Sequence, residues 1–486
     1  MAARFQNIDR DTPMLLPASI QEWVPDNDLA HFVIDAVASL RLDHYSINHR
    51  GTGDAQFQPA MMLTLLIYCY ATGLFSSRRI EHATHQNLSV RFICANTHPD
   101  HDTICTFRRK NDALIKETFL KTLLLARELK LVKLGTVAID GTKIMANASK
   151  HAANSYGKAG ELISLLESEV TELLVKAETA DSTPLQDGLT IQGEIVRRET
   201  RIAQLKIARE VIEARASQAA DLEKAERAAT LAERNAREAR GEKLRGKVPA
   251  GPESVDETPS PKDQYNYTDP ESRIMSRAQR DSQPQAARRV ERSDSKTGSG
   301  FQQSYNAQLA VEIDSRLIVG QRVSDAPNDK EQLAPTLAAI PEELGKPDTV
   351  LTDSGFYSEA AVVALETPGA DGLPGPQIIA AVVRTGHHRS VADLEKQDDP
   401  PPPGPEATAR ERMIYRTSTQ AGKALYKPRK ETVEPVIGII KSAMGFRQFL
   451  LRGKAKVSLE WSLVTLAYNM RRLHRLGMRA LMAQAT

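Results

Sequence analysis

The first 130 residues show apolar positions at helical spacing. A nearly all-apolar run from Met61 to Tyr70 is too short to cross a bilayer and predicts a buried helix. Further on, Asp102 or Thr103 is expected to cap a long amphipathic helix. Residues 1–130 are therefore predicted to form a helical N-terminal domain. A bundle of three to five helices is favoured over a helix-turn-helix.

Beyond residue 130 the apolar pattern takes the period of a β-strand. The segment "TVAID" is β-branched and ends at Asp140, "TVLTD" ends at Asp353, and two alternating runs flank "IDSRL" as a hairpin. A last helix has apolar residues at steps of 4, 3, 4 and 3, which predicts a packing seam. These seam residues are Leu459, Leu463, Leu466, Met470 and Leu473. Residues 131–156 and 265–486 are predicted to form one mixed-sheet domain.

A change of composition separates the two parts of this sheet domain. Residues 157–247 are rich in Ala, Glu, Lys, Arg and Leu, with "STPLQDG" in the middle, which predicts an antiparallel, coiled-coil-like helical hairpin. Residues 248–264 are rich in Pro, Ser and charge and predict a linker. The expected fold class is α+β: a helical N-terminal domain, then a ribonuclease-H-like mixed sheet interrupted by a long helical hairpin.

Composition and charge narrow the class of protein. The chain has 486 residues, of which 41% are hydrophobic and 26% charged, as in soluble proteins of two or three domains. Its three cysteines form neither a disulfide framework nor a zinc motif, and no signal-peptide pattern or membrane-length apolar run is present. We therefore expect a cytoplasmic protein with no membrane partner. Residues 405–486 carry 16 Lys or Arg against 5 Glu, although the whole chain has a net charge of only +2, which suggests an acidic polymer as partner.

Three carboxylates follow or begin a regular element. Asp140 and Asp353 end predicted strands, and Glu434 precedes Pro435 at a predicted helix start. Each alone is ordinary, because Asp-Gly and Asp-Ser-Gly are common turns and an acidic residue favours a helix N-terminus. The order strand-Asp, hairpin, strand-Asp, helix-Glu is nevertheless the skeleton of a ribonuclease-H-like sheet. Such a cluster requires a divalent cation, and Mg²⁺ prefers these oxygen ligands.

The stretch "YKPRKETVEPVIGIIK", residues 426–441, surrounds the third carboxylate with cations. Tyr426, Lys430 and Glu434 are four residues apart and Lys441 follows Glu434 by seven, so on one continuous helix they share a face. Glu431 is a nearby competitor as third ligand, and Asp269 of "TDPESRIM" is a spare carboxylate. Glu434 is favoured because it alone keeps the seven-residue step to a lysine.

Several motifs together resemble the DDE transposases of bacterial insertion sequences that have an InsH-type N-terminal domain. They are "FQPAMMLTLLIYCYATGLFSSRRIE", "PDHDTICTFRRKN", "AIDGTKIMANASK", "TDPESRIM", "YNAQLAVE", "LTDSGFYSE" and "YKPRKETVEPVIGIIK". The last is similar to the family's Tyr, Arg, Glu, Lys signature. The resemblance implies that Asp140, Asp353 and Glu434 are the catalytic metal ligands. They would bind two Mg²⁺ ions, with Mn²⁺ as a substitute.

The same resemblance implies where DNA is held. Tyr426, either Arg429 or Lys430, and Lys441 would contact the transposon-end DNA. Arginines expected at the starts of N-terminal helices would hold DNA mainly through phosphates. These are Arg78, Arg79, Arg108 and Arg109. The expected partners are the terminal inverted repeats, target DNA and other copies of the chain.

The expected activity is metal-dependent strand cleavage and strand transfer at the ends of an insertion sequence. One alternative is a catalytically inactive, transposase-derived DNA-binding protein, which a cleavage assay with Mg²⁺ would distinguish. Another is a scaffold built on the helical hairpin, which predicts oligomerisation without DNA.

Overall fold

A computed structural model describes residues 19–46, 55–179, 189–239, 248, 250–276, 301–368, 374–382 and 399–477. These form two compact units, one from the described parts of Met1–Ala146 and Ser304–Thr486, the other from Asn147–Gln303. None of the described helices is both long and apolar enough to cross a membrane. This division reflects packing within each unit and does not test the predicted domain boundaries, which stay predictions.

The first unit begins with helices, as the sequence predicts. They are α1 (Leu29–Ser39), α2 (Pro59–Ala71), α3 (Ser77–Gln86), α4 (Leu88–Ile93), α5 (His101–Lys110) and α6 (Asp112–Glu128). α2 contains the apolar run and is buried over most of its length, with Pro59 in its first turn. The predicted cap of the later helix is wrong by two or three residues, because Asp100 accepts from the Thr103 N–H at 2.6 Å. That helix is also divided at Asn111, where α5 ends.

A mixed sheet forms the centre of the same unit. Five of the sheet's six described strands lie wholly or mostly in this unit: β1 (Thr136–Met145), β5 (Phe301–Glu312), β6 (Ile318–Ser324), β7 (Thr349–Thr352) and β8 (Gln377–Ala380). These five lie in the order β6-β5-β1-β7-β8. β5 is antiparallel to both β6 and β1. β7 is parallel to both β1 and β8. In the parallel pair Ala138 lies opposite Leu351. Two residues further along, Asp140 and Asp353 leave that pair at the same level.

The remaining helices of this unit cover the sheet. They are α9 (Leu333–Leu337), α10 (Glu359–Glu366), α11 (Ala409–Ser418), α12 (Gln420–Tyr426), α13 (Pro428–Gly438) and α14 (Lys454–Arg475), with one π-helical segment at Ile439–Ala443. All five predicted seam residues of α14 are buried, which confirms the packing seam. Asn469 fixes α14 on the sheet, because its amide both accepts from and donates to the backbone of Ile318 at 2.9 and 2.8 Å.

The second unit contains the predicted helical insert. Its elements are β2 (Ala153–Ser155), α7 (Tyr156–Thr179), α8 (Ile191–Ala239), β3 (Gln264–Asn266) and β4 (Arg273–Ser276). Arg198 of α8 pairs with Glu169 of α7, and Lys206 with Glu167, so the two helices run antiparallel. The predicted loop at residues 180–188 lies outside the described residues. The predicted linker contacts α8, where Arg227 donates to Ser254 at 2.7 Å.

A buried carboxylate on α14 makes stability depend on pH. Glu460 is fully buried, and its Oε2 accepts from the N–H groups of Leu450 and Leu451 at 3.0 and 3.1 Å. Burial raises the pKa of Glu460 to about 7, against the lowering effect of those N–H groups and of Arg108. A carboxyl group with a raised pKa in the folded state stabilises most below its unfolded pKa, and that contribution is lost as the pH rises through 7.

We expect Glu460→Gln to be more stable than the wild type by roughly 2 kcal/mol at pH 8 and nearly equal to it near pH 4.5. Gln keeps an oxygen acceptor for the two N–H groups but carries no charge. Urea unfolding between pH 4.5 and 8 measures this, with the exposed Glu128→Gln as control. Parallel pH profiles for wild type and Glu460→Gln would contradict the assignment.

Candidate active site

Asp140 lies on the central strand β1, in a mostly buried position. Its Oδ1 accepts from the Gly141 N–H at 2.8 Å. Burial raises the pKa of Asp140 to about 7, the Arg429 guanidinium opposes this rise, and the nearby Asp353 adds to it. Burial and the neighbouring carboxylate both disfavour the charged form of Asp140, and an additional cation at this position would stabilise that form.

Asp353 follows the neighbouring strand β7. Its Oδ1 accepts from the Gly355 N–H at 2.8 Å, which closes a turn, and its side chain is 42% exposed. One nitrogen of Arg429, Nη2, lies 3.1 Å from Asp140 Oδ2 and 3.8 Å from Asp353 Oδ2. The structure thus brings the two strand aspartates to one guanidinium, with Asp353 on the solvent side.

Arg429 reaches these carboxylates from the first turn of α13. Its side chain is only 5% exposed, and its Nε has no hydrogen-bond partner among the described residues. The next residue, Lys430, is exposed. Of the two cations that the sequence left open for the arginine position, Arg429 is therefore the one beside the aspartates.

Tyr426 and Lys441 are each fixed to a strand that carries an aspartate. The Tyr426 hydroxyl donates to the Thr352 carbonyl at 3.1 Å, and Lys441 Nζ donates to the Lys143 carbonyl at 3.1 Å. Burial raises the pKa of the half-buried Tyr426. Both contacts hold these side chains against strand backbone, Tyr426 at the residue before Asp353 and Lys441 three residues after Asp140.

Glu434 is exposed on α13, and so is its competitor Glu431. Five residues along an α-helix correspond to a rotation of about 140°, so Glu434 points well away from Arg429. Among the described residues, no group of three or more His, Cys, Asp or Glu side chains could hold a metal ion. The other spare carboxylate, Asp269, is fully buried in the second unit. The assignment of Glu434 as third ligand stays a prediction.

A polar cluster that the sequence did not reveal packs against Gly141. Asp329 Oδ1 accepts from the amides of Asn306 and Gln308 at 2.8 and 2.7 Å, and both amide residues are buried. A Cβ atom at Gly141 would lie 2.6 Å from that same oxygen. Successive strand residues point to opposite faces, so this cluster lies behind the sheet from Asp140. The only available sequence signal was the glycine after the strand aspartate.

The predicted DNA-contacting arginines of the N-terminal helices are placed differently from one another. Arg78 and Arg79 are exposed on α3 and line an open cleft of about 600 Å³ together with His82. Arg109 is also exposed. Arg108 is 4% exposed and donates to the Tyr70 hydroxyl at 2.7 Å, so its guanidinium does not face solvent. This burial corrects the expectation that Arg108 offers its charge to DNA.

The carboxylates of Asp140 and Asp353 are two oxygen ligands of the kind that a hard divalent cation prefers. Asp140 and Asp353 supply carboxylate oxygens next to each other, and burial, followed by the charge of Asp353, raises the pKa of Asp140 to about 7. The neighbouring Thr352 hydroxyl is buried without a partner among the described residues. The sheet and this site define an α+β protein with a paired-carboxylate centre.

Comparison with protein families identifies the kind of protein. Residues 404–474 match the model of a transposase DDE domain, and residues 18–110 match a transposase domain named DUF772. No curated protein and no solved structure matches the chain significantly. Both matched models are transposase domains, and together they indicate a transposase of the insertion-sequence DDE type. The matches contain Arg429 and Glu434 but not Asp140 or Asp353.

Proposed function

We propose that the protein is a metal-dependent DNA transposase that cleaves strands at the ends of its element and joins them to target DNA. The observation that carries this proposal is the pair Asp140 and Asp353 on adjacent parallel strands, gathered around one guanidinium. It occurs in a chain with two transposase-domain matches. A DDE transposase is an enzyme of nuclease and transferase chemistry, and the site offers the acidic groups for it.

The strand order supports a ribonuclease-H-like catalytic domain. Three antiparallel strands, β6, β5 and β1, are followed by two parallel ones, β7 and β8, with β1 at the centre. This is the arrangement in which a first-strand and a fourth-strand carboxylate lie side by side. In chain order, β1 carries Asp140 and β7, the fourth strand of this series, is followed by Asp353.

Asp140, Asp353 and Glu434 would hold two Mg²⁺ ions, or Mn²⁺ in their place. The ions would activate a water or a 3′-hydroxyl and stabilise the leaving oxygen of an in-line displacement. Glu434 must then approach the two aspartates from its exposed position on α13. Asp140, held by the Gly141 N–H, needs little rearrangement because its backbone lies in the sheet.

The residues around the centre would position the DNA. Tyr426 and Lys441 are anchored beside the aspartates and would meet the strand that is cut, while the basic C-terminal region neutralises phosphates. Arg78, Arg79 and Arg109 would hold duplex DNA on the N-terminal helices. We expect the protein to act in the cytoplasm on the element's terminal repeats and target DNA, as a homo-oligomer when bound.

Incubating the purified protein with DNA that carries the element's ends tests this function. We expect strand cleavage at the ends that requires Mg²⁺ or Mn²⁺ and leaves a 3′-hydroxyl. The second candidate is an inactive, transposase-derived DNA-binding protein. It is favoured by Arg429 lying beside both aspartates while Glu434 is exposed. Specific end binding with no cleavage under either metal would support that candidate.

The cleft on α3 gives a separate prediction about DNA binding. If Arg78 and Arg79 each neutralise one phosphate, replacing either with Gln should reduce the slope of log affinity against log salt by about 0.9. The slope should fall equally for specific and unrelated duplexes, because phosphate contacts do not read sequence. Fluorescence anisotropy at several salt concentrations measures it.

The matched control is Lys116→Gln, which removes an exposed lysine already paired with Asp112 on α6. Its slope should equal that of the wild type. A slope unchanged by both arginine substitutions would remove the α3 cleft from the DNA path.

A further inference from the structure

The Arg429 side chain occupies an unusual place for a group expected to grip DNA. It is almost fully buried, and Nη2 lies 3.1 Å from Asp140 Oδ2 and 3.8 Å from Asp353 Oδ2. It is therefore the cation that balances the two carboxylates in this structure. A guanidinium in contact with two carboxylates that are expected to bind metal competes with the metal for the same oxygens.

The contact between Arg429 and the carboxylates is incomplete. Arg429 Nε is buried with no hydrogen-bond partner among the described residues, and only Nη2 approaches Asp353, at 3.8 Å. A planar guanidinium that holds a carboxylate well uses two parallel N–H groups. Arg429 thus donates a single hydrogen bond, from Nη2 to Asp140 Oδ2, without a second parallel one to the same carboxylate, and a doubly charged ion can compete with it.

The ends of α13 are suited to a small movement of this arginine. The helix begins at Pro428, which has no N–H group, directly after Lys427 separates it from α12. It ends in the π-helical segment Ile439–Ala443. π-Helical turns carry one extra residue per turn and are frequent at functional sites. α13 therefore has irregular geometry at both ends, while its middle packs through Val433 and Val436.

A divalent ion cannot share this place with the guanidinium. Mg²⁺ or Mn²⁺ lies about 2.0–2.2 Å from its carboxylate oxygens, and its double charge repels a guanidinium in contact with the same atoms. Binding of the ion at the two oxygens that Arg429 contacts, Asp140 Oδ2 and Asp353 Oδ2, therefore displaces the guanidinium. The free energy of breaking that ion pair opposes metal binding in the protein alone.

We propose that Arg429 is the internal counter-ion of the Asp140–Asp353 pair and that divalent metal binds only as this guanidinium leaves. Arg429 is then a regulatory group that weakens metal binding in the resting protein. The inference rests on the proposed function, because it takes Asp140 and Asp353 as metal ligands. It adds that a side chain of the protein itself, Arg429, occupies the oxygens that would bind the metal.

Direct titration of Mn²⁺ into the full chain tests the proposal without any reaction. Free Mn²⁺ is followed by electron paramagnetic resonance, and Asp140→Asn defines which binding belongs to the site. We expect Arg429→Gln to bind Mn²⁺ at the Asp140-dependent site about tenfold more tightly than the wild type. Lys423→Gln removes an exposed charge of the same sign from α12 and should bind as the wild type does.

A second variant keeps the test decisive if Arg429→Gln does not fold. Arg429→Lys retains the charge but has no planar group to reach both carboxylates, so an increase in affinity of about threefold is expected. Wild-type binding that depends on Asp140 but is not strengthened by either substitution would overturn this inference alone. Absence of any Asp140-dependent binding in all the proteins would overturn the proposed metal centre as well.

Discussion

Replacing Asp140 or Asp353 with Ala is expected to lower the rate of strand cleavage by at least about 10³-fold. The two carboxylates lie side by side at one guanidinium and are the best-placed oxygen ligands in the site. End binding in low salt should stay within about twofold of the wild type, because phosphates are held elsewhere. Single-turnover cleavage and anisotropy on the same end DNA measure the two quantities.

Glu434→Ala should show the same loss of cleavage with retained binding. Its matched control is Glu431→Ala, since both residues are exposed on α13. Cleavage that survives loss of Glu434 but not loss of Glu431 would show that the third ligand has been assigned to the wrong residue.

Gly141→Ala is expected to destabilise the first unit by about 2–3 kcal/mol and to weaken metal binding. A Cβ atom there would lie 2.6 Å from Asp329 Oδ1, which already accepts from two buried amides. The cluster must shift or the strand must move, and Asp140 is the adjacent residue. Chemical unfolding gives the stability, and Mn²⁺ titration gives the effect on the site.

Gly438→Ala is the control for this substitution. Gly438 lies on α13, and an added Cβ would meet nothing within 4 Å. Alanine favours helix over glycine by about 1 kcal/mol, so this variant should be as stable as the wild type or more stable. If Gly141→Ala were as stable as Gly438→Ala, the cluster behind the sheet would not constrain the strand that holds Asp140.

The pairing of the two aspartates could be predicted from the sequence because it depends on local signals. A β-branched apolar run that ends in Asp predicts a strand, and Asp140 and Asp353 both have this signal. Asp353 does follow β7, but the expected strand end at Asp140 is wrong, because β1 continues to Met145 in its pairing with β5. Parallel pairing of β1 with β7 places the two aspartates at one level. The buried seam of α14 could be predicted for a similar reason, since heptad-like spacing is read within one helix.

The position of the basic residues near Glu434 could not be predicted from spacing. The expectation of one shared helical face assumes a continuous helix, whereas Tyr426 ends α12, Glu434 lies in α13 and Lys441 lies in the π-helical segment. The spacing of residues along the chain also does not show which side chains are buried. Arg429 and Lys430 are neighbours of like charge, and only tertiary packing makes Arg429 the one that contacts the carboxylates.

Contacts between distant segments of the chain could not be predicted from the sequence either. Asp329 meets Asn306 and Gln308 because a loop after β6 returns over β5, and no local pattern encodes this return. Arg108 was expected to be an exposed arginine at a helix start, but it lies in the last turn of α5 and is buried against Tyr70 of α2. Side-chain burial of this kind is decided by how helices pack and not by their own period.

The location of Mn²⁺ in crystals of the protein with its end DNA tests the central claim most directly. Anomalous scattering places the ion independently of any assay. We expect Mn²⁺ about 2.0–2.2 Å from oxygens of Asp140, Asp353 and Glu434, with the Arg429 guanidinium displaced from Asp140. Mn²⁺ bound elsewhere, with Arg429 still in contact with both aspartates, would contradict it.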